Sequence, residues 1–326
     1  MARDHRLHLV RIKRIIQETA DTRTYVLDAS FSYRAGQFVT VRVCDALRSY
    51  SMSSSPETDA ELMTTVKRVP GGLVSNWMHD HLAPGDVIEV TRPAGVFCLR
   101  ETAVPLVAFA GGSGITPILS LVKSALVTTA RRVRLLTANR DAASIIFASA
   151  LAELAERYPD RFEVSHHLDT EAGFVTAAQI RDVARDVADA DFYLCGPAPF
   201  MELTERALLA QGVAAEQILV ERFTPSADRP AGPEKDGTVT IVFAGKRRTV
   251  SQQADATLLE SARRAGFTPP FSCEAGDCAT CIGQVTEGEV KMRVNNALDD
   301  DEVAEGWVLT CQSEPVTPHV TVLYED

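Results

Sequence analysis

The stretch Cys273-Glu-Ala-Gly-Asp-Cys278-Ala-Thr-Cys281, answered much later by Cys311, decides how this chain is read. Written as a pattern it is C-x4-C-x2-C-x29-C. That is the ligand spacing of a 2Fe–2S centre, with three thiolates on one tight loop and a fourth arriving from a distant strand. Gly276 and the small Ala279 and Thr280 let backbone N–H groups turn toward inorganic sulfide, and such hydrogen bonds help to set the potential. A zinc ribbon would want two C-x2-C pairs or histidine partners. Here there is one such pair, and no histidine follows until His319. The expected metal ligands are therefore Cys273, Cys278, Cys281 and Cys311.

The surroundings of that loop are acidic. The chain has 326 residues, 45% hydrophobic and 24% charged, with a formal net charge of −11. Residues 237–326 hold 7 Lys and Arg against 14 Asp and Glu, a net of −7 in the last 90 residues. This balance argues against nucleic-acid or anionic-membrane binding. No apolar run approaches the roughly 18 residues of a membrane span, and the first residues lack the apolar core of a secretory signal. A cytoplasmic location is expected, and there cysteines serve as ligands or reactive thiols more often than as disulfides.

Further upstream, Thr224–Gly237 (TPSADRPAGPEKDG) reads as a linker, because three prolines, two glycines and alternating charges build no core. Before it lie two different patterns. Residues 1–102 show short apolar runs about ten residues apart, separated by turn residues, as in an antiparallel barrel. Residues 103–224 alternate buried strands (VPLVAFA, RVRLLTA, DFYLCGP) with helices (PILSLVKSALV, FASALAELAERY, FMELTERALLAQG), as in a parallel α/β sheet. Residues 238–326 begin with a hairpin and a helix ending at Gly266. The expected organisation is a β domain (1–102), an α/β domain (103–224), a linker (225–237) and an α+β domain (238–326).

Two kinds of phosphate cradle are visible. GGSGITP (Gly111–Pro117) leaves a strand and opens a helix, where glycines admit a pyrophosphate and the helix N-terminus favours its charge. Cys195-Gly196-Pro197 ends a later strand at the edge where open α/β sheets bind dinucleotides. In the first domain, RSYSMSSSP (Arg48–Pro56) offers an arginine and hydroxyls around a tyrosine, and GGLVSNW (Gly71–Trp77) joins a glycine turn to a helix start with Ser75 near its N-cap.

RSYS, GGLVSNW, GGSGITP, CGP, ERF and the four cysteines, in that order, resemble the ferredoxin–NADP reductase superfamily with a C-terminal plant-type ferredoxin domain. VKRVPGGLVSNWM, NRDAASIIF and NNALDDDEVAEGWVLTCQ make the chain similar to reductase components of bacterial multicomponent oxygenases, notably of the 3-ketosteroid 9α-hydroxylase and phenylacetyl-CoA epoxidase types. The resemblance implies a six-stranded antiparallel flavin barrel, a nucleotide-binding α/β domain and a β-grasp ferredoxin domain. It implies flavin contacts for Arg48 (phosphate), Ser49, Tyr50 (ring face) and Ser51 (near N5). Val66, Lys67 and Arg68 would line the adenine-side phosphates, and Gly72, Leu73, Val74 and Ser75 the pyrophosphate. Gly112, Thr116, Asn139 and Arg140 would border the nicotinamide nucleotide, with Cys195 and Gly196 beside its ring. Glu221 and Phe223, in ERF, would flank the flavin, although Phe223 is not the terminal aromatic of plant-type reductases. Ser51, Cys195 and Glu221 are the expected catalytic residues.

The implied activity is an NAD(P)H-dependent oxidoreductase. A nicotinamide gives two electrons as hydride and a 2Fe–2S centre takes one, so a flavin must stand between them. Electrons would leave to a separate terminal oxygenase of Rieske or di-iron type, from a monomeric reductase. FAD is favoured over FMN by the longer GGLVSNWM cradle. NADH is favoured over NADPH, because Arg140 could pair with a 2′-phosphate but Asp141 would repel it. NADPH or FMN use, and a redox-sensing module without a dedicated oxygenase, are the alternatives. His79, His81, His166 and His167 lack a carboxylate motif and are read as surface or turn residues. Asp299-Asp300-Asp301-Glu302 is read as a docking face for a basic partner or as a solvated turn. Cys44 and Cys98 are read as packing residues.

Overall fold

The computed structural model describes residues 6–44, 46–187, 189–223 and 232–324. Contacts divide the described residues into two compact units: 8–39 with 50–223, and 6–7 and 40–49 with 232–324.

The N-terminal residues form six strands: β1 (His8–Thr19), β2 (Thr22–Asp28), β3 (Phe38–Val43), β4 (Ala46–Ser51), β5 (Leu62–Lys67) and β6 (Val87–Val90). Their order is β4-β3-β6-β1-β2-β5. β1 pairs antiparallel with β2 and β6, and β2 with β5. A bridge from Met52 to Thr64 joins the residue after β4 to β5, so the two edges of the sheet meet. The period of two is plain in β1, where Val10 and Ile12 are buried while Arg11 and Lys13 face out. Between β5 and β6, helix α1 (Leu73–His81) buries Val74, Met78 and His79.

The α/β region carries β7 (Leu106–Gly111), β8 (Val133–Asn139), β9 (Phe162–Leu168), β10 (Asp191–Cys195) and β11 (Ile218–Glu221), in the order β11-β10-β7-β8-β9. All pairs are parallel. Every residue of β7 is buried, as expected for a strand with helices on both faces. On one face pack α2 (Ile115–Thr128) and α3 (Ala148–Arg157), through Ile118, Leu119, Val122 and Leu151. The helices α4 (Asp169–Ala172), α5 (Ala177–Val183) and α6 (Ala198–Ala210) follow, and Ile180, Ala207 and Leu208 fill the other face. At the opening end of the sheet the buried Asp191 carboxylate accepts from Arg131 at 2.7 Å and from Thr102 at 2.6 Å, so this buried charge is paired.

The C-terminal region is a mixed sheet with one helix across it. β12 (Glu234–Phe243), β13 (Lys246–Gln253), β14 (Ile282–Glu287), β16 (Trp307–Leu309) and β18 (His319–Leu323) take the order β13-β12-β18-β14-β16. β12 and β18 run parallel and the other pairs antiparallel. Helix α7 (Leu258–Arg264) sets Leu258 and Ala262 into the core, and Thr257 caps it in a reciprocal pair with Glu260. Gly266, at φ +75°, ends it. β15 (Val290–Met292) and β17 (Ser313–Pro315) form a small second sheet, and α8 (Asp300–Ala304) precedes β16. This is the barrel, parallel α/β sheet and β-grasp arrangement that the sequence implies. Of the expected linker, residues 225–231 lie outside the described residues, and Glu234–Gly237 form the start of β12.

Candidate functional site

The cysteine loop follows α7. Its residues Glu274 and Ala279 have φ of +49° and +53°, beside Gly276 at +88°. Left-handed backbone costs a non-glycine residue roughly 1–2 kcal/mol, so something must hold it. Arg263 grips the Glu274 carboxylate with two hydrogen bonds, 2.8 and 3.2 Å, and Gln312 Nε2 donates to Glu274 O at 2.8 Å. The Arg263 guanidinium also lies 4.3 Å from the Phe271 ring centre. A Cβ on Gly276 would meet Val294 O at 3.0 Å.

Cys311, arriving from beyond β16, lies in one buried cluster with Cys281 of this loop, and its neighbour Thr310 donates to Cys281 O through N at 3.2 Å and Oγ1 at 2.7 Å. Among the described residues no three His, Cys, Asp or Glu side chains gather around one point. Hydrogen bonding from the Cys273 thiol brings Cys278 down to about 7. Pairing with Cys311, then burial, pushes Cys281 up. Ala275 N donates to Cys273 Sγ at 3.4 Å and Gln312 Nε2 to Cys311 Sγ at 3.7 Å. Two more buried hydroxyls in this region, Thr280 Oγ1 and Tyr324 OH, have no hydrogen-bond partner. The donor set therefore fits the cluster.

Around β4 the structure separates the expected flavin residues. Ser51 is buried, and its carbonyl accepts from Thr64 Oγ1 at 2.9 Å. Tyr50 is half-buried. Ser49 Oγ sits between Thr40 Oγ1 (3.1 Å) and Ser272 Oγ (2.8 Å), and Arg48 stacks over Phe271 with its carbon 5.6 Å from the ring centre. The later serines of the run are internal clamps. Ser55 pairs with Ser124 at 2.8 Å, Ser120 Oγ donates to Ser54 O at 2.6 Å, and Lys123 meets Asp59 at 3.1 Å.

Along β5, the Val66 side chain is buried in the barrel, so only its backbone is available, and its carbonyl already accepts from His79 Nε2 at 2.8 Å. Lys67 pairs with Asp21 and Arg68 with Asp80. The N-cap of α1 is Gly72, three residues before Ser75, whose Oγ accepts from Val69 N at 3.2 Å. Gly71, at φ +71°, has open space where a side chain would be. Leu73 is exposed, and Val74 and Ser75 are buried. The first turn of α1 has no side-chain cap, which leaves its N–H groups free for a phosphate.

At the closing edge of the parallel sheet the two glycine loops touch. A Cβ on Gly114 would lie 2.1 Å from Cys195 O, one on Gly111 2.7 Å from Pro197 Cδ, and one on Gly196 2.9 Å from Gly111 Cα. Gly112, at φ +51°, faces open space. Thr116 Oγ1 donates to Ser113 O at 2.9 Å and so shapes the turn from inside. Cys195 is fully buried, and burial, then the Glu221 charge beside it in register, pushes its thiol up. Phe223 is 45% exposed. Next to the glycine loop, Asn139 Nδ2 donates to Thr137 Oγ1 at 3.2 Å, and Arg140 Nε to Asp141 Oδ2 at 2.9 Å. Asp141 also caps a short turn through Ser144 N at 2.9 Å.

His166 Nδ1 contacts Thr137 Oγ1 at 2.7 Å, His167 Nε2 Gly173 O at 2.7 Å, and His81 Nδ1 Trp77 O at 3.1 Å. In the acidic run, Asp299 and Glu302 exchange hydrogen bonds of 2.9 Å as the capping box of α8, leaving Asp300 and Asp301 exposed. Sequence reasoning missed Arg263, Glu274 and Gln312. A charged pair 11 residues apart carries no motif, and only Arg263 at the end of a helix just before the loop could have hinted at it.

These features define a flavin- and iron–sulfur-dependent reductase. Residues 7–98 match an oxidoreductase FAD-binding domain, 109–206 an oxidoreductase NAD-binding domain, and 241–316 a 2Fe-2S iron-sulfur cluster binding domain. The chain is 38% identical to the 3-ketosteroid-9-alpha-monooxygenase ferredoxin reductase component of Mycobacterium tuberculosis, covering 99% of this chain and 97% of that one. It is 31% identical to one of the subunits of the 1,2-phenylacetyl-CoA epoxidase of Escherichia coli, with 98% of each chain covered. Phthalate dioxygenase reductase has the same fold over 98% of both chains, with a TM-score of 0.63 and 24% identity. The chain belongs to the family of oxygenase reductases built from FAD-binding, NAD-binding and 2Fe-2S domains. It is an oxidoreductase. No described helix is long and apolar enough to cross a membrane.

Proposed function

We propose that this reductase takes electrons from NADH and delivers them, through FAD and a 2Fe–2S cluster, to a separate terminal oxygenase of Rieske or di-iron type. It would do so as a cytoplasmic monomer. The observation that carries the reading is the set Cys273, Cys278, Cys281 and Cys311, on a loop whose strained residues are held by Arg263 and Gln312, in one chain with matches to FAD-binding and NAD-binding domains. When bound, the flavin would take two electrons as one hydride and release them singly, and the cluster would carry one at a time. The chain's own work is placement. The touching glycine loops hold the nucleotide edge open at Gly112, the uncapped turn of α1 receives phosphate, and four thiolates fix the exit. Ser51, Cys195 and Glu221 would border the reacting rings, with Tyr50 and Phe223 against the flavin. The test is Cys278→Ser. NADH-driven cytochrome c reduction should fall to background while ferricyanide reduction is kept; equal retention of both would refute the electron path.

The preference for NADH rests on the Arg140–Asp141 pair. The arginine that could greet a 2′-phosphate is already engaged, and Asp141 presents a carboxylate beside it. Asp141 is held below the ordinary carboxylate range, chiefly by the Arg140 hydrogen bond. Asp141→Asn is expected to raise kcat/KM for NADPH about tenfold, the equivalent of roughly one charged hydrogen bond or repulsion, with little change for NADH. An unchanged NADPH:NADH ratio would remove Asp141 from this role.

A further inference from the structure

Helix α2 starts at the nucleotide glycine loop, with Gly114 as its N-cap, and Ile118, Leu119, Leu121 and Val122 on it are all buried. Ser120 stands among these apolar residues and is itself fully buried. A buried hydroxyl must be satisfied, and a helical serine commonly turns back to the carbonyl four residues earlier. Ser120 sends its hydroxyl out of the helix instead. It donates to Ser54 O at 2.6 Å and accepts from Gly36 N at 3.3 Å. Both partners are held from behind. Gly36 sits where a Cβ would lie 2.0 Å from Phe97 O. Ser54 ends a stretch laced to β5: Ser51 O accepts from Thr64 Oγ1 at 2.9 Å, Ser53 N donates to Met63 O at 2.8 Å, and Met63 N donates to Ser54 Oγ at 2.9 Å. The route from Ser51, expected beside the flavin, to Thr116, expected beside the nicotinamide nucleotide, is therefore short and stiff. Three residues of fixed chain lead from Ser51 to Ser54 and one hydrogen bond crosses to Ser120. About 6 Å of helix then leads back to Thr116.

We propose that Ser120 is a positioning residue for the hydride step, setting how far the nucleotide loop stands from the flavin strand. The proposal rests on FAD and a nicotinamide nucleotide filling the cradles described above. Alanine suits a helix better than serine but would give up both bonds to the barrel, so helix propensity does not account for the hydroxyl. A hydride passes directly from one ring to the other, and a misplacement of about 1 Å costs on the order of 100-fold in rate. A second clamp on the same helix serves as a control. Lys123 meets Asp59 at 3.1 Å and joins the same two domains, but it lies further along α2 from the glycine loop, and Asp59 lies further along the chain from Ser51.

The experiment mixes the full-length loaded protein with saturating NADH in a stopped-flow spectrometer and follows flavin bleaching, for wild type, Ser120→Ala and Lys123→Gln. Bleaching in the wild type checks the underlying reading, so if NADH reduces no flavin that reading fails and not this step alone. Ser120→Ala should bleach about tenfold more slowly, the effect of a displacement well under 1 Å. Its NADH dissociation constant should be unchanged, and the long-wavelength band of nicotinamide stacked on flavin should be weaker. Lys123→Gln should match the wild type in rate and band. Equal slowing in both variants would make the effect one of interface stability, and an unchanged rate and band in Ser120→Ala would remove the residue from the step; either overturns the proposal. In the flavin-free chain, amide exchange of residues 112–119 should quicken in Ser120→Ala and not in Lys123→Gln, and unchanged exchange there also overturns it. Should Ser120→Ala fail to take up flavin, Ser120→Cys keeps the shape with a weaker donor. It should slow the step in the same direction, and a wild-type rate overturns the proposal.

Discussion

The cysteine loop and the nucleotide edge do their work by opposite means. At the loop, side chains would carry the function, through the four sulfurs of Cys273, Cys278, Cys281 and Cys311. At the edge proposed to take the nucleotide, missing side chains would be the function. Gly111, Gly114 and Gly196 allow two loops to touch, and Gly112 leaves the space above them open. The first kind of site fails by losing a donor and the second by gaining an atom, so each can be broken in a way that spares the other.

The largest effect should come from adding one methyl group at the edge. Gly114→Ala places a Cβ 2.1 Å from Cys195 O, so backbone must move. Overpacking of this kind costs roughly 1–3 kcal/mol. With that strain at the nucleotide edge, kcat/KM for NADH is expected to fall about 10- to 100-fold. Flavin and cluster absorbance should be retained, and chemical reduction of the cluster should be unaffected. Near-wild-type steady-state kinetics would mean that the close approach of the two loops is not part of the nucleotide site.

A smaller effect is expected where the loop's support is removed and its donors are kept. Arg263→Gln abolishes the grip on the Glu274 carboxylate and leaves that residue's left-handed backbone to Gln312 alone. Cluster loss in the presence of a chelator should become several-fold faster, with NADH-driven ferricyanide reduction unchanged. If the half-life of the visible bands matches the wild type, the Arg263–Glu274 pair is only a surface contact.

These two regions were also unequally legible in the sequence. Cysteine ligands announce themselves because their spacing is local and few other functions require it. The three fold classes were legible because period-two and strand–helix patterns repeat over many residues. What holds the cluster loop was not, since Arg263 meets Glu274 only after a helix and a turn bring them together. In the serine run the later residues serve the fold: the Ser54 hydroxyl accepts from Tyr33 OH and Met63 N, the Ser54 carbonyl accepts from Ser120, and Ser55 pairs with Ser124. Ser75, expected near the helix cap, stands three residues after the cap residue Gly72. Half of the acidic run proved to be the cap of α8, which leaves Asp300 and Asp301 as the candidates for docking.

The smallest effect is a difference in acid sensitivity between the electron entry and exit. In the flavin domain His79 is buried, its Nε2 contacts Val66 O and its own carbonyl accepts from Arg23 at 2.7 Å. Burial lowers its pKa from 6.5, and the charges of Arg68 and Arg23 add to this against Asp80. The unfolded chain therefore takes up the proton first. The stability this histidine contributes is complete above about pH 6.5 and is lost as pH falls from there toward its lower folded value. In the cluster domain His319 is exposed, with Nδ1 against Thr238 Oγ1 at 3.1 Å. The resistance of the flavin domain to urea, read by flavin release, should thus fall between pH 7 and pH 5.5. His79→Gln, which can still donate to Val66 O but takes no proton, should flatten that slope. Bleaching of the cluster should follow the same pH profile in both proteins. If the variant keeps the wild-type slope, the acid sensitivity of the entry side lies elsewhere.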